Sequence, residues 1–166
     1  LILGHEISGV IEEVGKEVKN YKKGMRVAIA PNMGCGVCDR CVSGNTHLCE
    51  DYKAFGINLD GGFAEYLKVP APAVNQGNLV ELEKEISFEE AALIEPLSCV
   101  FNGQSRVNIQ MGETVLIVGA GPIGIMHAFL AKIQGATKIF VNDLSSDRLA
   151  LCKELDPSII TVTSDE

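Results

Sequence analysis

Four closely spaced cysteines carry the clearest chemical signal in this sequence. Cys35, Cys38, Cys41 and Cys49 are separated by two, two and seven residues. Thiolates at this spacing can converge on one ion, and zinc accepts four sulfurs in a tetrahedron, with Zn–S distances of about 2.3 Å. Because protein would fill all four positions, the pattern predicts structural zinc with no position open for a substrate. Free or disulfide-bonded thiols are the alternative, but such clusters in intracellular proteins usually bind metal.

Glycines and a histidine accompany the cysteines. Gly34, Gly36 and Gly44 are predicted to provide the turns that wrap the chain around an ion. His47 lies in the same segment, but with four sulfurs available it is predicted to be a surface residue. Few large apolar side chains occur between residues 32 and 52, so we expect metal ligation to order this lobe.

A glycine-rich turn follows an apolar run later in the chain. Residues 113–118 read as a buried strand that leads directly into the spacing GxGxxG and an apolar helix. Here the first glycine permits a tight turn, the second lets the backbone approach a pyrophosphate, and the third lets the helix pack against the strand. The free N–H groups at the helix start would face phosphate oxygens. The predicted cofactor contacts in this turn are Gly119, Gly121, Pro122, Ile123 and Gly124.

Asp143 ends the next predicted strand, nineteen residues after Gly124. A carboxylate there can accept hydrogen bonds from both hydroxyls of the adenosine ribose and repels a 2′-phosphate, which favours NAD over NADP. Ser145, Ser146 and Arg148 could instead offer partners to a phosphate, and Arg148 is counted among the predicted cofactor contacts. A glycine-rich turn with a solvated aspartate at the strand end is the structural alternative.

Short strands and glycine turns are the elements that must position the cysteines. Strands are predicted over residues 9–15, 25–30 and 63–69, and prolines end the last two. The cysteine lobe is inserted between the second and third of these strands. This arrangement predicts an irregular β-barrel rather than a sandwich of long strands.

A different pattern, with longer periodic segments, begins near Ser87. Ser87 and Glu90 form a predicted capping box at a helix start. Pro96 is expected to interrupt this helix, and a further helix is predicted from Leu97 to about Val107. The order βαβαβ that follows predicts a parallel sheet with right-handed crossovers, as in half of a doubly wound domain. Its strands are predicted at 113–118, 138–142 and 159–162, and its helices at 125–134 and 146–155.

Composition restricts the classes of function. The chain has 166 residues, of which 46% are hydrophobic, and a net charge of −8, which disfavours nucleic acid or anionic membrane as a partner. We expect neither a transmembrane segment nor a signal peptide. Six cysteines, four of them in a metal pattern, predict a reducing cytoplasm. Cys99, His127 and Cys152 are expected to be packing residues.

Three patterns taken in order resemble the zinc-containing medium-chain alcohol dehydrogenase family, in particular its polyol, sorbitol-type branch. They are Gly4-His5-Glu6 with Gly9 and Val14-Gly15, the four-cysteine lobe, and the glycine-rich turn with Asp143. The resemblance covers essentially the whole chain and implies an α/β plus β fold. It implies a partial GroES-like β-barrel catalytic domain over residues 1–86 with its zinc lobe at 32–52, connecting helices over 87–112, and the first half of an NAD-binding Rossmann domain over 113–166.

The family resemblance also implies a second, catalytic zinc. His5 matches its imidazole ligand and Glu6 the carboxylate beside it, while Glu95 stands where polyol-type members carry glutamate and ethanol-type members cysteine. Such a zinc acts as a Lewis acid on the substrate hydroxyl. The resemblance therefore implies hydride transfer between NAD and a small-molecule secondary alcohol, a polyol or sugar alcohol, in a homo-oligomeric cytoplasmic enzyme.

Alternatives remain open. The chain could be a zinc-stabilised nucleotide-binding module without chemistry, a zinc-free quinone reductase of the same superfamily, or a family member acting on threonine, butanediol or a primary alcohol. His5, Glu6 and the complete cysteine set disfavour the quinone reductase. The sequence begins and ends abruptly, so we expect a fragment that lacks the first catalytic-zinc cysteine and is inactive alone.

Overall fold

The computed structural model describes residues 1–163, and the chain forms two units, Leu1–Glu95 and Pro96–Glu166. The strands are β1 (Ile7–Val10), β2 (Arg26–Ile29), β3 (Asn32–Met33), β4 (Lys53–Ala54), β5 (Leu79–Glu81), β6 (Thr114–Val118), β7 (Lys138–Asp143) and β8 (Ile160–Thr163). The helices are α1 (Asp39–Val42), α2 (Ala71–Asn75), α3 (Phe88–Ala92), α4 (Ile94–Val107), α5 (Pro122–Ile133) and α6 (Ser146–Leu155), and Thr46–Leu48 forms a 3-10 turn. Among the described residues, none of the helices has both the length and the apolar character needed to span a bilayer.

Two small antiparallel sheets form the strand framework of the first unit. The larger has the order β1-β2-β5, with Ile7 opposite Ile29. The smaller pairs β3 with β4, on either side of the cysteine lobe. Apolar side chains on the central strand β2 are buried, as expected of β-branched and small residues in a covered strand. A core cluster of Ile29, Met33, Phe55 and Ala73 packs beside these sheets.

The strand predicted over residues 63–69 is wrong, because this segment joins no β-ladder. The Phe63 N–H instead donates to the Leu3 carbonyl at 3.0 Å. Leu67 and Val69 still pack against the core cluster of the first unit. The alternation therefore agrees with the partial burial of Leu67 and Val69 but fails for Phe63, which is 81% exposed, and it does not predict the backbone conformation.

Two elements that follow this segment, α2 and β5, were not predicted from the sequence. Pro70 caps α2 and Pro72 lies in its first turn, where a missing N–H costs no intrahelical hydrogen bond. The residue before β5, Asn78, is buried, and its Nδ2 donates to the carbonyls of Ala30 at 2.8 Å and Asn32 at 2.7 Å. This side-chain anchoring fixes β5 beside β2, and no sequence motif signals it.

The capping box predicted at Ser87 is confirmed. Ser87 Oγ accepts from the Glu90 N–H at 3.1 Å, and Glu90 Oε2 accepts from the Ser87 N–H at 2.8 Å. The predicted interruption at Pro96 is wrong, because the break lies at Leu93 and Pro96 is buried in the first turn of α4. A proline is tolerated there since first-turn N–H groups have no intrahelical partner.

A parallel three-stranded sheet in the second unit confirms the predicted βαβαβ order. Its strands lie in the order β6-β7-β8, with Val115 opposite Ile139 and Val141 opposite Thr161. The connections contain α5 and α6, and α5 begins at Pro122, slightly earlier than predicted. The core includes Ala128, Val141, Leu149, Cys152 and Ile159.

The three residues expected to have packing roles differ in their environments. Cys152 is fully buried in the second-unit core, as predicted. His127 is half-buried in α5, and the buried Gln104 donates from Nε2 to its Nδ1 at 3.1 Å and to its carbonyl at 2.7 Å. The expectation of a core position for Cys99 is wrong, because this residue is exposed on α4, next to the buried Val100.

Candidate metal and nucleotide sites

The four cysteine thiols converge in the first unit, as their spacing predicts. Their sulfur atoms all lie within 4.8 Å of one another. The sulfurs of Cys35 and Cys41 are 3.9 Å apart, and so are those of Cys38 and Cys49. A tetrahedral ion with Zn–S distances of about 2.3 Å requires sulfur–sulfur separations of about 3.8 Å. The side chains therefore fit structural zinc in position as well as in chemistry.

Local backbone geometry explains how so short a segment brings the thiols together. Cys38 is the N-cap of α1, and the helix carries Cys41 back to the same side. The 3-10 turn then returns Cys49, its C-cap, to the cluster. Gly36 and Gly44 have φ angles of +82° and +81°, a conformation that residues with side chains rarely adopt. Both glycines thus serve the turns predicted for them.

Gly34 has a different role from the predicted turn, because close packing requires it. A Cβ at this position would lie 2.4 Å from the Cys41 sulfur, so only glycine leaves room for that thiol. The Gly34 carbonyl also accepts from Gln76 Nε2 at 2.9 Å, which ties the lobe to the end of α2. Sequence reasoning missed Gln76, since a glutamine so far along the chain carries no metal-site signal.

Hydrogen bonding gives the thiols different acidities. The N–H groups of Val37 and Cys38 lower the pKa of Cys35 to about 7. The Gly36 N–H lowers the pKa of Cys41, but burial and the neighbouring thiols outweigh it and raise that pKa to about 12. Four thiolates this close together require a cation, so metal binding releases protons and weakens at low pH.

The predicted catalytic-zinc residues form no comparable group. Within residues 1–163 the four thiols are the only set of three or more histidine, cysteine or carboxylate side chains whose ligand atoms lie this close together. His5 is half-buried just before β1, Glu6 is exposed, and Glu95 is half-buried in the first turn of α4. Their assignment to a catalytic zinc stays a prediction. His47 is exposed and outside the set of thiols, as predicted.

Glycines hold the backbone before His5 against a neighbouring loop. Gly4 has a φ of +96°, and its carbonyl accepts from the Gly62 N–H at 2.8 Å. A Cβ on Gly61 would lie 2.2 Å from the same carbonyl oxygen, and one on Gly56 would lie 2.7 Å from it. Any larger residue at Gly56 or Gly61 would therefore push away the segment that carries His5.

The glycine-rich turn of the second unit has the geometry that its spacing predicts. Gly119 has a φ of +108°. A Cβ on Gly124 would lie 1.8 Å from the Gly119 carbonyl oxygen, so α5 can begin this close to the turn only because the residue is glycine. A Cβ on Gly121 would meet no atom within 4 Å, which leaves this face open to a ligand. Pro122 and Ile123 form the first turn of α5.

Asp143 ends β7 beside this turn, and both of its carboxylate oxygens accept backbone hydrogen bonds. Oδ2 accepts from the Ala120 N–H at 2.7 Å, and Oδ1 accepts from the Ser145 N–H at 2.8 Å. These two bonds are the main reason that the pKa of Asp143 is lowered. Arg148 Nη1 lies 3.8 Å from Oδ2, and its side chain is 64% exposed, so this ion pair contributes little to stability.

The turn and Asp143 fit the adenosine diphosphate part of a nicotinamide dinucleotide. The open face at Gly121 lets phosphate oxygens approach the backbone, and the first N–H groups of α5 lack intrahelical partners. A carboxylate offers about four acceptor sites, so Asp143 keeps capacity for ribose hydroxyls beyond its two backbone bonds. Sequence reasoning missed the contact with Ala120, because a backbone N–H carries no residue-type signal.

Comparisons with known proteins relate the chain to dehydrogenases. Residues 1–78 match the family model described as the alcohol dehydrogenase GroES-like domain. The chain is 37% identical over 166 residues to an L-threonine 3-dehydrogenase of Mesorhizobium japonicum, a match that covers 100% of this chain and 46% of the relative. The chain belongs to the zinc-containing medium-chain alcohol dehydrogenase family. This membership confirms the predicted fold class, a GroES-like first part followed by the start of a Rossmann sheet.

Other members of the medium-chain alcohol dehydrogenase family give similar matches. A sorbitol dehydrogenase of Bacillus subtilis is 39% identical over 155 residues, which are 93% of this chain and 42% of the relative. The crystal structure of a provisionally assigned zinc-binding dehydrogenase from Sinorhizobium meliloti 1021, bound to NADP, superposes with a TM-score of 0.88 at 34% identity. That match covers 98% of this chain and 46% of the other. The chain thus spans less than half the length of these family members.

Proposed function

We propose that the protein acts as an NAD-dependent zinc oxidoreductase that interconverts a secondary alcohol of the polyol class and a ketone. The observation that carries the proposal is the position of Asp143 beside the open face of the glycine-rich turn, in a chain of this dehydrogenase family. A nucleotide-binding module without chemistry would also use such a carboxylate, so the choice of an enzyme over that module rests on the family of the chain and on Glu95.

Recognition of the cofactor is assigned to residues of the second unit. The N–H groups at the start of α5 bind the pyrophosphate, and Asp143 accepts from the adenosine ribose hydroxyls. The negative charge of Asp143 opposes a 2′-phosphate, which supports NAD over NADP. When bound, the nicotinamide supplies an acceptor for the hydride from the carbinol carbon. The related Sinorhizobium structure was solved with NADP, so kinetic assays of this chain should compare NAD with NADP.

The zinc lobe has a structural task in this proposal. Its four thiolates fill the tetrahedron around the ion, so no position is open for a substrate oxygen. Polarisation of the substrate hydroxyl is instead assigned to the predicted site at His5, Glu6 and Glu95, which the described residues do not assemble as a close group. The first unit contributes these side chains, and the glycine contacts before His5 position that residue.

The substrate class rests on Glu95 and on the named relatives. Glutamate at this position is typical of polyol-type family members, and one relative is a sorbitol dehydrogenase. A second candidate is L-threonine, because an L-threonine 3-dehydrogenase matches the whole chain at comparable identity. Both candidates are secondary alcohols, so they share the proposed reaction type and differ in the pocket that selects the substrate.

An assay of the complete gene product tests the proposal. Zinc content would be measured first, then NAD reduction with sorbitol, xylitol, L-threonine, 2,3-butanediol and ethanol. We expect about two zinc ions per chain and the highest kcat/KM with a polyol. The highest kcat/KM with threonine would favour the second candidate. One zinc per chain and no NAD reduction with any alcohol would support the binding module and contradict the enzyme.

A further inference from the structure

The glycine-rich turn is tied to the end of β7 by two consecutive hydrogen bonds. The Gly119 N–H donates to the Asn142 carbonyl at 2.7 Å, and the Ala120 N–H donates to Asp143 Oδ2 at the same distance. The first bond joins two backbone groups and is indifferent to residue type. The second depends on a side chain, so this residue controls part of the conformation of the turn.

We propose that Asp143 is a positioning residue for the glycine-rich turn, which it holds in its binding conformation before any cofactor arrives. This role is additional to the ribose contact. Its consequence for cofactor binding rests on the proposed function, whereas the hydrogen bond to Ala120 belongs to the free chain.

The environment of the two groups makes this bond a strong constraint. Ala120 is only 2% exposed, so loss of the acceptor would leave a buried N–H without a partner. The acceptor is a carboxylate whose side chain is 10% exposed, and charge-assisted bonds of this type are shorter and stronger than neutral ones. The charged carboxylate therefore holds Ala120 more firmly than a neutral side chain would.

The position of Ala120 explains why holding it matters for a ligand. It lies between Gly119 and Gly121, which lack side chains and therefore lose more conformational freedom on ordering than other residues. Fixing Ala120 fixes the open face at Gly121, where phosphate oxygens would approach. The Ser145 N–H, bonded to Oδ1, orients the carboxylate so that Oδ2 meets the turn.

Amide exchange in the ligand-free chain tests the positioning role directly. Asp143→Asn keeps the shape of the side chain but only one acceptor oxygen, so it can serve only one of the two N–H groups. We expect exchange at Ala120 to become about tenfold faster or more in this variant. Asp147→Asn is the matched control, because it removes an exposed carboxylate in the first turn of α6 and should leave Ala120 unchanged. Because the single amide oxygen of Asp143→Asn can stay on Ala120, Asp143→Ala, which has no acceptor, is measured in parallel. Unaltered exchange at Ala120 in Asp143→Ala would overturn the proposal.

A measurement on the unmodified chain guards against a variant that unfolds. Protection at the buried Val141 reports whether Asp143→Asn keeps its sheet. If that protection is lost, the wild-type Ala120 amide chemical shift decides instead. This shift must move when acid protonates the Asp143 carboxylate, since the acceptor of the N–H changes. A shift that stays constant through the acid range would contradict the hydrogen bond.

Nucleotide binding separates the positioning role from the ribose contact. The probes are ADP and 2′,3′-dideoxy-ADP, which lacks the hydroxyls that Asp143 would bind. We expect Asp143→Asn to weaken binding of both probes, by about threefold to tenfold for the dideoxy form. Asp147→Asn also removes one negative charge, so its affinities show how much of the change is due to charge alone. Equal affinity of wild type and Asp143→Asn for dideoxy-ADP would show that the carboxylate acts on the ribose alone. If neither probe binds wild type, the proposed function fails, and exchange at Ala120 still decides the positioning role in the free chain.

Discussion

Lys132 Nζ donates to Asp156 Oδ2 at 2.5 Å, which joins the last turn of α5 to the turn before β8. The same ammonium group donates to the Ser158 hydroxyl at 2.9 Å. The other oxygen of Asp156 accepts from the Ser158 N–H at 3.0 Å and from its hydroxyl at 2.6 Å. The hydrogen bond from Lys132 is the largest cause, and those from Ser158 are the next largest, of the lowering of the Asp156 pKa to about 2. The carboxylate therefore stays charged in the folded protein down to strongly acidic pH.

Stability of the second unit should depend on pH through Asp156. Its folded pKa of about 2 lies below the ordinary value of 3.8, so its contribution is complete above about pH 5 and is lost as pH falls from about 4 towards 2. Asp156→Asn should lower the free energy of unfolding at pH 7 and flatten this acid decline. Urea unfolding of wild type and variant at a series of pH values checks the prediction, and parallel curves would contradict it.

Loss of one lobe thiol should release the structural zinc. Cys41→Ser removes a ligand from the four-sulfur set, and three thiols with a neutral hydroxyl hold zinc much more weakly. We expect the variant to lose zinc and the lobe to loosen, while the parallel sheet of the second unit stays folded. Elemental analysis measures the metal, and circular dichroism measures the remaining structure.

The matched control for this experiment is Cys99→Ser, which changes an exposed cysteine outside the cluster. It should bind as much zinc as wild type. Full zinc content in Cys41→Ser would show that the thiols are not a closed metal site.

Two glycines of the nucleotide turn should respond in opposite ways to alanine. Gly124→Ala places a Cβ against the Gly119 carbonyl, so we expect a loss of about 1–3 kcal/mol in the free energy of unfolding. Gly121→Ala meets open space and has a φ of −75°, so stability should hold while NAD binding weakens. Thermal unfolding and NADH fluorescence titration separate the two outcomes. Equal effects of both changes on stability would contradict this account.

Arg26 should matter for the first unit beyond its charge. Nη1 donates to the carbonyls of Glu83 and Lys84 at 3.1 Å each, Nη2 donates to that of Ile86, and the guanidinium lies 4.7 Å from the centre of the Phe88 ring. Lysine cannot reproduce this fork or its stacking. Arg26→Lys should therefore lower stability by about 1–3 kcal/mol. Arg106→Lys, at an exposed position, is the control and should cost little.

Substitution of Asp143 should reduce the preference for NAD over NADP in the complete gene product. Asp143→Gly removes the charge that opposes a 2′-phosphate, so the ratio of kcat/KM values for the two cofactors should fall. Affinity for NAD should also fall, because the turn loses its acceptor at Ala120. If the wild-type protein already prefers NADP, the prediction is wrong, and Arg148 with the adjacent serines would be the residues that bind the 2′-phosphate.

Features set by local spacing were predictable from the sequence. The capping box at Ser87, the parallel strand order and the convergence of the four thiols depend on residues close in the chain or on strong periodicity. Glycine spacing likewise predicted the nucleotide turn, because Gly119 adopts a positive φ, Gly121 leaves an open face, and Gly124 leaves room for the Gly119 carbonyl oxygen.

Features set by contacts between distant segments were not predictable. The segment at Phe63 alternates like a strand, but its hydrogen bonds go to the chain near Leu3. Anchoring of β5 by Asn78 and support of the lobe by Gln76 join residues more than forty positions apart. Such contacts involve ordinary polar residues whose type does not disclose a partner, so only the folded arrangement identifies them.

The crossing of Gly4 with Gly56 and Gly61 restricts how this protein can change over time. Because a single methyl group at Gly56 or Gly61 would collide with backbone, substitutions there cannot be relieved by repacking a neighbouring side chain. Substitutions in this loop are therefore expected at the intervening positions, such as Ile57, which is exposed. An engineer who wishes to reshape the surroundings of His5 has the same restriction and should vary those positions while leaving the three glycines unchanged.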